Sequence, residues 1–365
     1  MQIDEYDFVY KKVNMIQFLD KAKRQLSSNL PFVIYKKPNE NKCIGYFQKN
    51  NLLFEVDDFK EKGFVFSSFD GSKSILFPEH ESDRLEVDFI FNSNEIEIVN
   101  NQFVENNSNK KEFETQVQLA VDAISDGKFL KVVLSRKESI ELTDFDPIET
   151  FQKVAQNYST AFCYCWFHPE IGLWIGASPE QLLKIDNQKM STVSLAGTRK
   201  NDDNKFVEWG KKEKTEQQIV TNSIIKNLEN ELSNIKISIP HSFQAGSLFH
   251  LKTDIEGELK PNFDLKNMLS KLHPTPAVCG FPKKEANDFI VKTEGYNRSF
   301  YSGFFGEINL NNKTNSFLHV NLRCMQIQNK TAHLYIGCGI TRDSIPESEW
   351  LETVNKSQTM KKILI

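Results

Sequence analysis

Phe129-Leu130-Lys131-Val132-Val133-Leu134-Ser135-Arg136 opens the segment around which the chain is organised, and Gly176-Ala177-Ser178-Pro179-Glu180 closes it. The first piece alternates as a strand does, so Lys131, Val133 and Ser135 face one way and Val132, Leu134 and Arg136 the other. A lysine among so many apolar side chains is partly dehydrated. Dehydration disfavours a charged amine, and an amine relieved of its charge can take a proton. Glu180 ends a second apolar strand at a Ser-Pro turn, where side chains reach out of a sheet into a cleft. Lys131 and Glu180 facing one another across a pocket would form a base and an acid.

Working outward, Asp146-Pro147-Ile148-Glu149 supplies an N-cap, a proline at the first helical position and a glutamate at capping-box spacing. The helix it starts buries Phe151, Val154, Ala155 and Tyr158. Before the lysine strand, Phe113, Val117, Val121 and Ile124 share one helix face, with Gly127 as the stop. Residues Ala161–Phe167, Leu173–Ala177, Leu182–Ile185 and Thr192–Leu195 read as consecutive strands, and the Asp186–Lys189 turn makes neighbours antiparallel. In the first hundred residues, Phe32–Tyr35 is a strand, and Gly63–Phe66 and Ser74–Phe77 flank an Asp70-Gly71 hairpin turn. The asparagine-rich run 100–109 reads as a surface connection. Further on, helices are expected over about 204–232, 265–272, 283–292 and 347–363. Strands are expected at Phe304–Leu310, Phe317–Gln326 and Ala332–Ile336, with Asn311-Asn312-Lys313 as a hairpin tip. Runs of strands broken by helices indicate an α+β fold with large antiparallel sheets. A mixed N-terminal region, 1–109, contributes to those sheets, and 110–365 carries the chemistry.

At 365 residues, with 29 phenylalanines, the chain can bury a large core. Its net charge of −4 lacks the basic face that nucleic acid requires. No apolar run approaches the roughly 20 residues that span a bilayer, and Met1–Glu5 lacks the pattern of a signal peptide. The six cysteines contain no C-x-x-C pair and the seven histidines no metal-ligand spacing, so free thiols in a reducing cytoplasm are expected.

Two glutamate pairs, Glu213/Glu216 and Glu349/Glu352, stand three residues apart on expected helices, each pair on one face. Carboxylates so placed suit a hard divalent cation such as Mg²⁺, although Glu-x-x-Glu on a helix is more often plain surface charge. Glycines in Leu195–Arg199, His273–Gly280 and Ile336–Thr341 either bring backbone N–H groups near an anion or simply make tight turns. Arg298, Tyr301, Arg323 and Lys356 lie beside these segments. Arg323, inside the apolar Val320–Arg323 run, needs an anionic partner, from the protein or from a ligand.

In this order, Lys131–Arg136, Ser178-Pro179-Glu180, Leu195–Arg199, the Glu213/Glu216 helix, His273–Gly280, Glu294–Gly306, Gly337–Ile340, Glu349/Glu352 and Lys356 resemble the chorismate-utilising enzymes over about residues 113–365. That family includes isochorismate, salicylate, anthranilate and aminodeoxychorismate synthases. The resemblance implies conversion of chorismate to isochorismate, with Lys131 as general base toward water and Glu180 as general acid. Mg²⁺ would be held by Glu213, Glu216, Glu349 and Glu352. The substrate would be bound by Gly197, Thr198, His273, Tyr301, Arg323, Gly339 and Lys356. Lysine at 131, where the ammonia-using anthranilate enzymes carry glutamine, and Ala196, where another branch carries a nucleophilic lysine, imply a water user with no glutamine amidotransferase partner. A monomer is expected, serving menaquinone or siderophore biosynthesis. The alternatives are a salicylate synthase, which goes on to eliminate pyruvate, and a relative that binds chorismate without turnover. One departure is Gln217, where many relatives have histidine after the metal-side glutamate.

Overall fold

The computed structural model describes residues 10–89, 109–200, 208–245, 248–310 and 314–364. The 100–109 connection, except its last residue, and the 311–313 tip therefore lie outside the described residues, as does Met1–Glu5. In chain order the N-terminal part forms β1 (Lys11–Lys12), α1 (Met15–Ser27), β2 (Phe32–Lys36), β3 (Lys42–Gln48), β4 (Phe54–Glu55), β5 (Gly63–Ser67), β6 (Ser74–Pro78) and β7 (Ser82–Asp88). The middle follows as α2 (Lys110–Ser125), β8 (Lys131–Glu141), α3 (Pro147–Asn157), β9 (Phe162–His168), β10 (Gly172–Ser178), β11 (Gln181–Asp186), β12 (Lys189–Lys200), α4 (Lys211–Leu228), β13 (Leu232–Ile237), β14 (His241–Ala245) and β15 (Leu248–Leu259). The chain ends with α5 (Leu265–Leu272), β16 (Gly280–Phe281), α6 (Lys283–Thr293), β17 (Phe304–Leu310), β18 (Asn315–Val320), β19 (Cys324–Gln328), β20 (Thr331–Ile340) and α7 (Pro346–Lys361).

Two 10-stranded sheets result, and both mix early and late strands. The first runs β1-β7-β3-β2-β9-β10-β19-β20-β8-β16. The second runs β13-β15-β12-β11-β18-β17-β5-β6-β4, with β14 on β15. All pairings are antiparallel except β1 with β7. Alternation decides what each face meets. In β2, Phe32 and Ile34 pack outward with α1 and α3, while Val33 and Tyr35 turn inward. Inward-facing aromatics of both sheets, among them Tyr164, Trp166, Phe66 and Phe305, make the layer between them. Phe66 stacks on Trp166 at 4.4 Å and on Phe305 at 5.3 Å between centroids, which accounts for the phenylalanine content. Helices α4 and α5 cover the second sheet, and α2, α6 and α7 cover the β8 end of the first.

The sheets part where two neighbouring strands pass from one to the other. β10 belongs to the first sheet and β11 to the second, with only Pro179 and Glu180 between them. Alongside, β18 and β19 are joined by Asn321-Leu322-Arg323. The single strand expected over Phe317–Gln326 is thus corrected to two strands in different sheets. Arg323 lies not inside a strand but at the crossing, in a left-handed conformation (φ 48°). The crossings are tied together: Ala177 N–H donates to Arg323 O (3.0 Å) and Val320 N–H to Glu180 O (3.0 Å). The Asn321 side chain accepts from Tyr164 Oη (2.5 Å) and donates to Phe300 O (2.9 Å).

A third segment, Phe300–Gly303, presses into the same fork. A Cβ at Gly303 would lie 1.9 Å from Ser67 O, so only backbone fits there. Gly303→Ala is expected to lower the unfolding free energy by about 3 kcal/mol, measured by urea denaturation of the pure protein; an unchanged midpoint would refute the close approach.

Two other expectations are corrected. The helix placed at 204–232 is seen as Lys211–Leu228, because Leu232 already starts a strand and 208–210 are not helical; 204–207 lie outside the described residues. The β13–β15 strands had no counterpart in the sequence reading.

Candidate active site

Where the sheets part, a cavity opens. Glu180, Arg323, Tyr301, Ala196, Gly197, Glu216, His250, Gly337, Gly339, Glu352 and Lys356 are among the side chains and backbone that wall it. Each arrives for a local reason. Glu180 and Arg323 come from the two crossings. β8 pairs with β20 so that Val133 lies opposite Gly339 and Ser135 opposite Gly337. Paired residues share a face, so two glycines stand where side chains would fill the cavity. A Cβ at Gly339 would be 2.5 Å from Glu216 Oε1 and 3.1 Å from Lys131 Cε, and one at Gly337 would be 2.7 Å from Tyr301 Oη. Gly197 sits at a bulge between β12 and β15 with φ 68°. There a Cβ would approach Glu213 Cβ at 3.0 Å.

Lys131 is buried, 1% exposed, and its Nζ lies 3.0 Å from Glu216 Oε1. The sequence reading surrounded this amine with apolar groups; the structure gives it a carboxylate from α4. Glu180 is 5% exposed. Burial pushes its carboxyl up from 4.5 to about 7, against the opposing pull of Lys131, Arg323 and Lys356. Those three cations therefore act on one carboxyl group, which places Lys131 and Glu180 in one electrostatic neighbourhood.

Arg323 is half-buried at the cavity wall. Burial pulls its guanidinium down, while Tyr301, Glu352 and Glu180 support its charge. Lys356 Nζ donates to Gly337 O (3.0 Å) and pairs with Glu352 Oε1 (2.7 Å) one turn away on α7. Tyr301 stacks on Tyr335 at 5.5 Å, and burial raises its hydroxyl well above the usual phenol range.

Of the four glutamates, Glu216 and Glu352 line the cavity, each holding a lysine. Glu213 and Glu349 precede them by a turn on α4 and α7, Glu213 against Gly197 and Glu349 buried. Among the described residues, no three acidic, histidine or cysteine side chains stand close enough as they are to hold a metal ion. In chemistry the donors suit a hard cation: oxygen ligands only, on two helices that meet at one cavity.

His273 is a correction. Its Nε2 donates to Phe69 O (3.0 Å) and its ring packs edge-on against Phe304 at 5.0 Å. The ring is fixed on the far side of the 273–278 segment, and Ala277 and Val278 are what reach the cavity. The backbone of Thr198 continues β12 past the bulge, but its side chain lies outside the described residues. Arg298 is a strut: it pairs with Glu294 and donates to Val133 O (2.7 Å) and Val278 O (2.8 Å).

His250 was missed. It stands on β15, its Nδ1 3.0 Å from Gly197 O, and burial with Arg323 and Lys356 nearby pushes it down to about 3. Alternation gave no signal for it: it places His250 with Lys252, Asp254 and Glu256, on the polar face opposite Leu251, Thr253 and Ile255. Gln217 points away from the cavity. Its amide donates to Thr221 Oγ1 (2.8 Å) and to Thr253 Oγ1, beneath β12 and β15. A neutral hydrogen-bonded group is what a site 2% exposed tolerates, and it leaves Glu216 to face the cavity.

Residues 79–365 match the family described as chorismate binding enzyme. Component 1 of anthranilate synthase from Lactococcus lactis is 28% identical over 70% of this chain and 58% of its own length. The salicylate biosynthesis isochorismate synthase of Pseudomonas aeruginosa is 30% identical over 70% of this chain and 55% of its own length. The match thus spans a little over half the length of these relatives. The structure of MenF, the menaquinone-specific isochorismate synthase of Escherichia coli, superposes with a TM-score of 0.75 at 19% identity, over 92% of this chain and 89% of that one. At that identity the likeness speaks for the fold, and the family match carries the rest: this chain belongs to the chorismate-binding enzymes.

Proposed function

We propose that the protein is an isochorismate synthase, adding water to C2 of chorismate with departure of the C4 hydroxyl. The observation that carries this is a buried carboxyl, Glu180, raised to about 7 in a cavity that it shares with Arg323 and Lys356, while Lys131 acts on its charge from beside the cavity-lining Glu216 and Gly339. Water is a poor nucleophile and hydroxide a poor leaving group, so proton help is needed at both ends. Lys131, once parted from Glu216, takes the proton of the attacking water. The new C2–O bond forms as the ring double bonds shift and the C4–O bond breaks, and protonated Glu180 delivers its proton so that the hydroxyl leaves as water. One hydroxyl replaces another, so the reaction is freely reversible with the two roles exchanged.

Arg323, which has no ion pair or hydrogen bond to its guanidinium among the described residues, and Lys356 hold the substrate carboxylates, with Tyr301 as a hydroxyl donor and backbone at Gly197 and Gly339. Mg²⁺, held by Glu213, Glu216, Glu349 and Glu352, would neutralise and orient a ring carboxylate when bound. Lysine at 131 favours water over ammonia, the point on which the likeness to anthranilate synthase is set aside. The product would serve quinone or siderophore biosynthesis in the cytoplasm, with quinone synthesis preferred.

The test is incubation of pure protein with chorismate and Mg²⁺, followed by chromatography. Isochorismate at a mixed equilibrium reached from either side is expected. Salicylate with pyruvate would move the protein to salicylate synthase, and no turnover would sink the proposal. Arg323→Lys is expected to raise KM for chorismate by about tenfold or more, because an ammonium cannot grip a carboxylate through two parallel bonds. Steady-state kinetics check it; an unchanged KM would free Arg323 from the substrate.

A further inference from the structure

Helix α7 carries Glu349, Glu352 and Lys356, and the face by which it docks is mostly polar. Of its buried residues, Glu349, Trp350, Thr353, Ser357, Met360 and Lys361, only Trp350 and Met360 are apolar. A helix held by an apolar stripe packs through contacts without direction, and small rotations cost it little. One held by hydrogen bonds and ion pairs must meet each partner in one geometry. Lys361 is 3% exposed, so its ammonium requires an anion inside the protein.

Glu138 is that anion. It stands on β8 two residues after Arg136, and the two share the strand face opposite to that of Lys131. Glu138 Oε1 takes Lys361 Nζ at 2.5 Å, and Oε2 takes Arg136 Nη1 at 2.9 Å. The Arg136 guanidinium lies 4.4 Å from the Trp350 ring. Its Nε donates to Thr353 Oγ1 (2.7 Å), which donates in turn to Trp350 O (2.8 Å). All three charged groups are less than 10% exposed. They grip α7 at Trp350, Thr353 and Lys361, and so bracket Glu352 and Lys356.

A buried triad of this kind adds little net stability. Its desolvation offsets most of its attraction, and apolar groups of similar volume often replace such charges at no cost. What its directional contacts supply is position. A slip of α7 by one residue would turn the helix by about 100° and shift it by about 1.5 Å. That is enough to aim Glu352 and Lys356 away from the cavity that both now line.

We propose that Glu138 is a positioning residue. Through Lys361 and Arg136 it fixes α7 in the one register that presents Glu349 and Glu352 to a cation and Lys356 to a substrate carboxylate. Lys131 and Glu180, which move the protons, are not on α7, so loss of Glu138 weakens binding and spares the chemical step. This role rests on the proposed use of α7 in cation and substrate binding, and cation binding is therefore measured apart from turnover.

The experiment compares Glu138→Gln with the double variant Glu138→Gln, Lys361→Met, by melting temperature and by calorimetric titration of the pure protein with MgCl₂. The single variant strands two buried cations and is expected to melt at least about 4 °C below wild type. The double variant loses one charge of each sign and is expected to recover to within about 2 °C of wild type. Both are nevertheless expected to bind Mg²⁺ about tenfold more weakly. With chorismate at saturating Mg²⁺, the double variant should show KM raised about tenfold and kcat within about threefold of wild type. The role is overturned by a double variant that binds Mg²⁺ as wild type does, melts as low as the single variant, or loses kcat with KM unchanged. Wild type that binds Mg²⁺ but leaves chorismate untouched would remove the isochorismate reading alone, and the titration would still decide Glu138. Wild type that binds no Mg²⁺ would remove the cation site and this role with it.

Discussion

Glu180→Gln is expected to abolish turnover and at the same time stabilise the fold at alkaline pH. The two effects share one cause. In the folded protein the Glu180 carboxyl is raised from 4.5 to about 7, because burial outweighs three nearby cations. Between those two values the folded chain holds a proton that the unfolded chain has released. Stability therefore falls as pH rises through this window and is level above it, a loss of about 3 kcal/mol for one fully buried group. Glutamine fills nearly the same volume and never ionises. Urea unfolding at about pH 8 should show the variant more stable by up to about 3 kcal/mol, and the advantage should vanish near pH 4. Turnover should fall by about a thousandfold, within the usual range for loss of a positioned acid. In the wild type, kcat/KM for the forward reaction should decline above pH 7, about tenfold per pH unit, as the protonated fraction falls. A variant as unstable at alkaline pH as the wild type would mean that Glu180 does not carry a buried charge.

Periodicity makes most of this fold legible in the sequence. Asp146 does cap α3, accepting from the N–H groups of Ile148 (2.8 Å) and Glu149 (3.1 Å). The Asp70-Gly71 turn does join β5 to β6. What escaped was non-local. The alternation of Phe317–Gln326 continues unbroken through Asn321-Leu322-Arg323, and nothing in it records that the chain leaves one sheet for the other there. His273 sits in a segment that does reach the cavity, but its own ring is anchored on the opposite side by a carbonyl from the N-terminal third. The partner of Lys131 was hidden for the same reason: Glu216 was read as half of a helix-borne acidic pair, and only packing of α4 brings it to the amine.

That pairing makes Lys131 the position where charge and proton transfer can be separated. Lys131→Ala removes both. Turnover is expected to fall by about a thousandfold, and taking one member from an ion pair 1% and 11% exposed is expected to cost about 3 kcal/mol of stability. Lys131→Arg keeps the positive charge toward Glu216 but supplies a group that cannot give up its proton, so it should fold nearly as well as wild type while remaining as inactive as the alanine variant. Added Mg²⁺ supplies a second discriminator. A cation gathered by the glutamates takes over the counter-charge role, so the melting temperature of Lys131→Ala should rise with Mg²⁺ by more than that of wild type. If Lys131→Arg turned chorismate over at the wild-type rate, the amine would be a charge anchor and the base would have to be sought elsewhere in the cavity. If alanine and wild type melted alike with and without Mg²⁺, the carboxylates would not be the cation site and Glu216 would be only the lysine's partner.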